Sequence, residues 1–479
     1  MKNRINKDIY WGYFGQFLYL GVNILLLPFV LKLLPNIELG MWYTFTAIGG
    51  LANLLDFGFK NTITRNIAYG WGGAKDLPRF NQPIGEYQNE PNLILTNKVI
   101  KSARFFYFII GIVVLALLAS FGTLYIFYVG KESIAIRIIL LPWIIYILAI
   151  FFNIFLGYWL PSLKGIGAIK ESYKSMVFSK MINLVIAIAG LYMGYGLLAV
   201  SIAFFAGSAS LRLFAAHYFK KYLGTSYNFF SKKIHYREFK QVIYIMWPNA
   251  FRQGAISIAN YLSDKVIILL TSAFLGLAVS ASLGLSIQIL TLTATIGNVL
   301  FNIYLPKIIH LKVKKNNVQA YKKMKYSIAV QALIIFSGGI TIILFGNFFL
   351  SIINSNTYLV SRINLLILLI FVYIFSFHQI CSSYIIADNK IPMFGSYLLT
   401  GIATVLISFL LARFFPNQFN LTALLSIQLG MQIIYNAWKW PKYVANMNNQ
   451  SIVTMYISSF TVLLFDIISM LKKVIKGGK

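Results

Sequence analysis

Runs of about twenty apolar residues, the length that crosses a ~30 Å hydrocarbon core, recur along almost all of this 479-residue chain. In lipid every backbone polar group must be satisfied internally, so a chain of this kind is confined to helices or a closed barrel. Unbroken apolar runs, without two-residue alternation, select helices. Twelve spans are predicted, at about 8–33, 41–67, 104–129, 136–160, 175–195, 197–219, 243–271, 278–303, 327–353, 362–386, 393–414 and 420–440. With 58% hydrophobic and only 11% charged residues, against about 25% charged in soluble domains, the chain reads as an all-α polytopic membrane protein.

A net charge of +30 invites a nucleic-acid reading. The basic residues are not gathered in a soluble module, however, but alternate between loops. With the amino terminus inside, 35 of the 42 Lys and Arg fall on the cytoplasmic side, and Lys32, Lys131, Arg137, Arg362 and Arg413 fall outside. That asymmetry places both ends of the twelve-span core in the cytoplasm, and basic rims at an anionic leaflet account for most of the charge. A nucleic-acid partner is not expected; membrane lipids are.

The polar break at 220–240 divides six spans from six, as in a duplicated transporter. The organisation expected is an N-lobe at 1–219, a cytoplasmic linker at 220–240, a C-lobe at 241–448 and an apolar segment with a basic tail at 449–479. The last apolar stretch, Ile452–Leu471, reads as an interfacial helix, since a thirteenth crossing would put four lysines outside. Ala68–Lys101, rich in Gly and Pro, reads as a cytoplasmic loop and not a helix, and Lys312–Lys325 as a solvated basic loop. The single cysteine, Cys381, excludes an intramolecular disulfide and is read as packing.

Four spans depart from simple greasiness, each carrying polar residues at helical spacing. The first has Gln16, Tyr19 and Asn23; the second Asn53, Asp56, Lys60 and Thr64. The seventh has Asn249, Arg252, Gln253, Ser257, Asn260, Ser263 and Asp264, and the eighth Gln288, Thr291, Thr295, Asn298 and Asn302. Hydrocarbon tolerates such groups only where they face protein or water, so the stripes imply a polar cavity at membrane depth. The competing reading is that Asn, Gln and Thr merely tie helices together.

Arg252 lies near the bilayer midplane, about 15 Å into its span. A forked cation at that depth suits a phosphate or pyrophosphate; the plainer alternative is an ion pair with Asp56 or Asp264. Asp56 and Lys60, four apart, form a favourable helix pair. Arg65 is a cytoplasmic anchor that could draw an anionic substrate to the inner mouth. Asp264 and Lys265 point about 100° apart on a continuous helix and so are not expected to neutralise each other. Asp264 falls on the Arg252 stripe, as ion-coupling site or structural partner, while Lys265 falls off it and can snorkel. No metal-ligand spacing, catalytic triad, carboxylate pair or phosphate loop is visible, so an enzyme is not expected.

Two stretches carry a family resemblance. Pro28–Trp42, followed by Leu-Leu-Asp-Phe-Gly-Phe at 54–59 and then Arg65, is one; Ser263–Ile268, leading through Leu275-Gly276 into Ser282-Leu283-Gly284, is the other. Together with the twelve spans they resemble the polysaccharide and O-antigen flippases (Wzx-type) of the multidrug/oligosaccharidyl-lipid/polysaccharide (MOP) exporter superfamily. The resemblance implies a two-lobed bundle whose cavity is lined by the first, second, seventh and eighth spans. It also implies movement of undecaprenyl-pyrophosphate-linked oligosaccharide from the inner to the outer leaflet of a bacterial inner membrane by alternating access, alongside polysaccharide polymerase and ligase partners. By carry-over Arg252 is the leading head-group residue, with Lys60 and Arg65 next. Gln16 and Asn23 stand where some relatives have a basic residue. No cofactor is expected beyond Na+ or H+ coupling through Asp56 or Asp264. The rivals are an ion-coupled drug antiporter of the same fold, an integral-membrane glycan polymerase or ligase, and a scaffold for synthesis enzymes.

Overall fold

A computed structural model describes residues 2–77, 88, 90–131, 133–223, 236–313, 316–388 and 392–477. Every long element is a helix: α1 (Lys2–Leu33), α2 (Asn36–Leu54), α3 (Phe59–Trp71), α4 (Leu93–Leu117), α5 (Thr123–Gly130), α6 (Ile136–Phe155), α7 (Trp159–Gly165), α8 (Ile169–Tyr192) and α9 (Gly196–Leu223) precede the interval at 224–235. After it come α10 (Tyr236–Asp264), α11 (Val266–Phe274), α12 (Leu277–Val313), α13 (Asn317–Ile352), α14 (Arg362–Ile386), α15 (Phe394–Phe414), α16 (Leu421–Ile434), α17 (Asn436–Met447) and α18 (Ile452–Gly477). Among the described residues, nine helices are long and apolar enough to cross a membrane. The chain is a polytopic all-α membrane protein.

Several expected spans are interrupted, each for a local reason. The second divides into α2 and α3 at Leu55–Gly58, where Phe57 and Gly58 take φ of 45° and 70° and end the α-helical ladder. The seventh stops at Asp264 and resumes at Val266, with Lys265 at φ −103° between them. The twelfth breaks at Tyr435, between α16 and α17. A π-helical turn, Leu118–Gly122, joins α4 to α5.

The chain forms two compact units: residues 1–261 with 276–281 and 353–357, and residues 262–275 with 282–352 and 358–479. The first therefore includes most of α10. Within it α8 packs on α9 and α1, and α6 on α9 and α4. Its aromatic core stacks Trp143 on Tyr146 and Tyr146 on Phe204. Within the second unit α14 packs on α13, α16 and α17, and α18 lies against α13 and α17 with Met455, Ser459 and Leu463 buried at spacing four.

Two loop expectations are corrected. The interval after the second span is shorter than Ala68–Lys101, because α3 continues to Trp71 and α4 starts at Leu93. Asn92 caps that start, its Oδ1 accepting from the Leu95 N–H at 2.9 Å, a signal hidden behind Pro91; residues 78–87 and 89 lie outside the described residues. Lys312–Lys325 likewise belongs largely to the end of α12 and the start of α13. Lys312 is buried there, its ammonium donating to the Tyr384 carbonyl at 2.7 Å and paired with Asp388 at 2.6 Å.

Candidate functional site

The break in the second span builds the densest polar locus of the first unit. Where α2 ends, Asp56 turns inward and is buried, and its Oδ1 accepts a hydrogen bond from the hydroxyl of Tyr107 on α4. Lys60, one turn later on α3, places its ammonium 3.6 Å from Asp56 Oδ2 while staying 37% exposed. The carboxylate is therefore held by a phenol and an ammonium, which is what permits a charge to be buried there. Nearby, Arg212 of α9 is buried and donates through Nη2 to Asn153 Oδ1 of α6. Its charge interacts with Asp56, Tyr107 and Tyr19.

Helix α10 passes directly over this break. A Cβ on Gly254 would stand 2.6 Å from Phe57 Cα, so only glycine lets the two backbones meet. Trp247 of the same helix lies 6.1 Å from both Phe57 and Phe59. Tyr261 donates its hydroxyl proton to the Ala47 carbonyl, fixing the far end of α10 on α2. Arg252, two residues before Gly254, is exposed, as is Arg65 on α3.

Of the other residues singled out, Asn53 is exposed but folds its amide back onto the Gly49 carbonyl at 2.9 Å. Asn260 and Gln288 are half-buried. Thr291 and Thr295 bond carbonyls one turn back at 2.7 and 2.8 Å. Asn298 is engaged across helices, accepting from Gln331 Nε2 of α13 at 2.6 Å, so at this position the stripe ties helices together. Gln16, Asn23, Asn249 and Gln253 sit on α1 and α10, with their side chains outside the described residues.

Asp264 and Lys265 overturn the expectation that they diverge: Lys265 Nζ is 3.1 Å from Asp264 Oδ2. The 100° offset holds only for a continuous helix, and α10 ends at Asp264. The carbonyl of Ser263 at that break is met by Gln428 Nε2 of α16 at 2.8 Å.

Sequence reasoning passed over two clusters. Arg212 was counted among the cytoplasmic cations, although its place inside an apolar span was a signal that it needed a partner. In the second unit, His378 of α14 lies 2.7 Å from the Tyr397 hydroxyl of α15, which also bonds Ser382. Asn436, beside the α16–α17 break, bonds Thr400 at 2.9 Å and receives Trp440 Nε1 at 3.0 Å. Among the described residues, no group of three or more His, Cys, Asp or Glu is placed to hold a metal ion.

Solved structures share the fold of these helical units. A multidrug-resistance MATE-family transporter of the MOP superfamily, in an inward-facing conformation, is similar over 95% of this chain and 96% of its own, with TM-score 0.56 and 15% identity. The lipid II flippase MurJ, in an inward closed conformation, is similar over 96% of this chain and 92% of its own, with TM-score 0.58 and 11% identity. A MOP-superfamily transporter from Pyrococcus furiosus, described by a binding pocket of reversed polarity and a different function, is similar over 97% and 96%, with TM-score 0.53 and 16% identity. No protein-family model matches the chain, and no curated protein matches it.

Proposed function

We propose that this protein is a flippase that moves a lipid-linked oligosaccharide, of the undecaprenyl-pyrophosphate type, from the inner to the outer leaflet by alternating access. The observation that carries this reading is the sign of the accessible charge on the first unit's polar helices. Lys60 is half-exposed, Arg65 and Arg252 are exposed, and the carboxylate among them, Asp56, is buried and held by Tyr107 and Lys60. Cations outside and the anion inside suit a pyrophosphate head group and not a cationic drug. The MurJ-like fold, that of a lipid II flippase, supports a lipid-linked cargo.

In this reading the glycan and pyrophosphate occupy a polar cavity met by Arg252, Lys60 and Arg65, while the lipid tail stays in the bilayer. Asn53 and Asn260 supply neutral contacts to sugar hydroxyls. The two lobes that rock are those divided near residues 220–240. The basic loop bias supports a cytoplasmic amino terminus, and the family resemblance a bacterial inner membrane.

An ion-coupled drug antiporter of the same fold is the second reading, favoured by the buried Asp56 and by the MATE-like structure. Na+ or H+ coupling would then pass through Asp56 or Asp264, each of which has a lysine partner, Lys60 and Lys265.

Deletion of the gene is expected to leave lipid-linked oligosaccharide on the cytoplasmic leaflet, and Arg252→Glu to reproduce this with normal membrane insertion. Accumulation in the deletion but not in Arg252→Glu removes Arg252 from the site. No accumulation in either rejects the flippase reading.

A further inference from the structure

We propose that the second unit carries a phosphate site at its α12–α13 end, which holds the head group of an anionic phospholipid in the leaflet facing the basic helix ends. The site is a cavity of about 320 Å³ lined by Tyr304 of α12 and by Gln319, Lys322, Lys323 and Tyr326 of α13. The four α13 residues follow one another at spacings of three, one and three, so a single helix face supplies them. Tyr304 closes the opposite wall, its ring 6.4 Å from that of Tyr326 and inclined by 54°.

The chemistry of this lining is one-signed. Lys323 Nζ stands 4.4 Å over the Tyr304 ring, an arrangement that holds the ammonium against the cavity wall. Lys322 is exposed at the rim, and none of the described lining residues is a carboxylate. Asp388, at the end of α14, is already engaged by Lys312. Two ammonium groups, an amide and two phenols are donors that complement a phosphate's oxygens.

Depth and surroundings select a lipid over a free ion. Helix α13 has 36 residues, about 54 Å at 1.5 Å per residue, well beyond a ~30 Å hydrocarbon core. One end at least must therefore stand among head groups, and Lys322, Lys323 and Lys325 select the first turns. Tyr304 lies at the end of the apolar part of α12, which closes at Leu305. Along α13 the face that carries Lys322, Lys323 and Tyr326 continues into Val330 and the exposed Leu333, where acyl chains would lie. The seven lysines at 307–325 favour the cytoplasmic leaflet for this end, where anionic lipids concentrate. The site goes beyond the transport reading, since it is independent of the cargo.

The test is binding of fluorescent phosphatidylglycerol to the full-length protein in neutral-detergent micelles. The variants are Lys322→Gln/Lys323→Gln and, as an equal charge change elsewhere, Lys220→Gln/Lys221→Gln. Loss of two charge-assisted contacts is expected to weaken binding by roughly tenfold or more in the first and to leave the second unchanged. Millimolar inorganic phosphate should not displace the lipid. Unchanged binding in the first variant, or equal loss in both, overturns the site. Displacement by inorganic phosphate overturns the lipid assignment in favour of a free anion. Should the double variant aggregate, Gln319→Glu, at an exposed position, introduces a carboxylate and is expected to weaken binding comparably; unchanged binding there overturns the site as well.

Discussion

Replacing Tyr107 by Phe removes one hydroxyl from the first unit and keeps the ring that fills its place. Tyr107 is fully buried and Asp56 nearly so, at 0% and 7% exposure, so no cavity opens and water is not at hand to replace the lost bond. A hydrogen bond to a charged group is worth about 1.5 to 3 kcal/mol, and a buried acceptor deprived of its donor bears that cost in full. Asp56 keeps Lys60 at 3.6 Å, a looser and more solvated contact that does not take over the Tyr107 bond. Equilibrium unfolding in mixed micelles, followed by circular dichroism, should therefore show Tyr107→Phe destabilised by about 1.5 to 3 kcal/mol. Asp56→Asn and the double variant complete a thermodynamic cycle, with a coupling expected above about 1 kcal/mol because the two groups touch. Strict additivity, or a Tyr107→Phe cost below about 0.5 kcal/mol, would refute the claim that the phenol holds the carboxylate.

Two further outcomes follow from close contacts. Lys312→Met strands Asp388 and the Tyr384 carbonyl beside a buried site and should cost about 3 kcal/mol, with Lys312→Met/Asp388→Asn recovering part of it; the same unfolding assay reads both. Gly254→Leu forces a side chain into the Phe57 backbone, so it should cost at least about 1 to 3 kcal/mol and impair transport, whereas a neutral result would mean that α10 does not lie on the α2–α3 break.

The helices were legible because hydrocarbon imposes one structure on any apolar run of sufficient length. The polar stripes were legible as stripes, but their roles were not. Asn298 looks the same in sequence whether it faces water or Gln331, and the partner lies on the next helix. Asp264 and Lys265 were misjudged because their relation depends on whether the helix continues through them. In the other resembling stretch, Asp56-Phe57-Gly58 did contain its break signal in Gly58, which takes a positive φ. Arg212 was invisible as part of a cluster because Asn153, Asp56 and Tyr107 come from α6, the α2–α3 break and α4. Lys312 was mistaken for a solvated residue for the same reason, its carboxylate lying far along the chain just after α14.

The most direct measurement is flipping by the purified protein in proteoliposomes loaded with a fluorescent undecaprenyl-pyrophosphate oligosaccharide and scored by the fraction accessible to an external quencher. The account predicts rapid equilibration between leaflets with the native chain and its loss with Arg252→Glu at equal incorporation. Equal accessibility with native, Arg252→Glu and empty liposomes, alongside gradient-driven uptake of a cationic drug by the native chain, would contradict it.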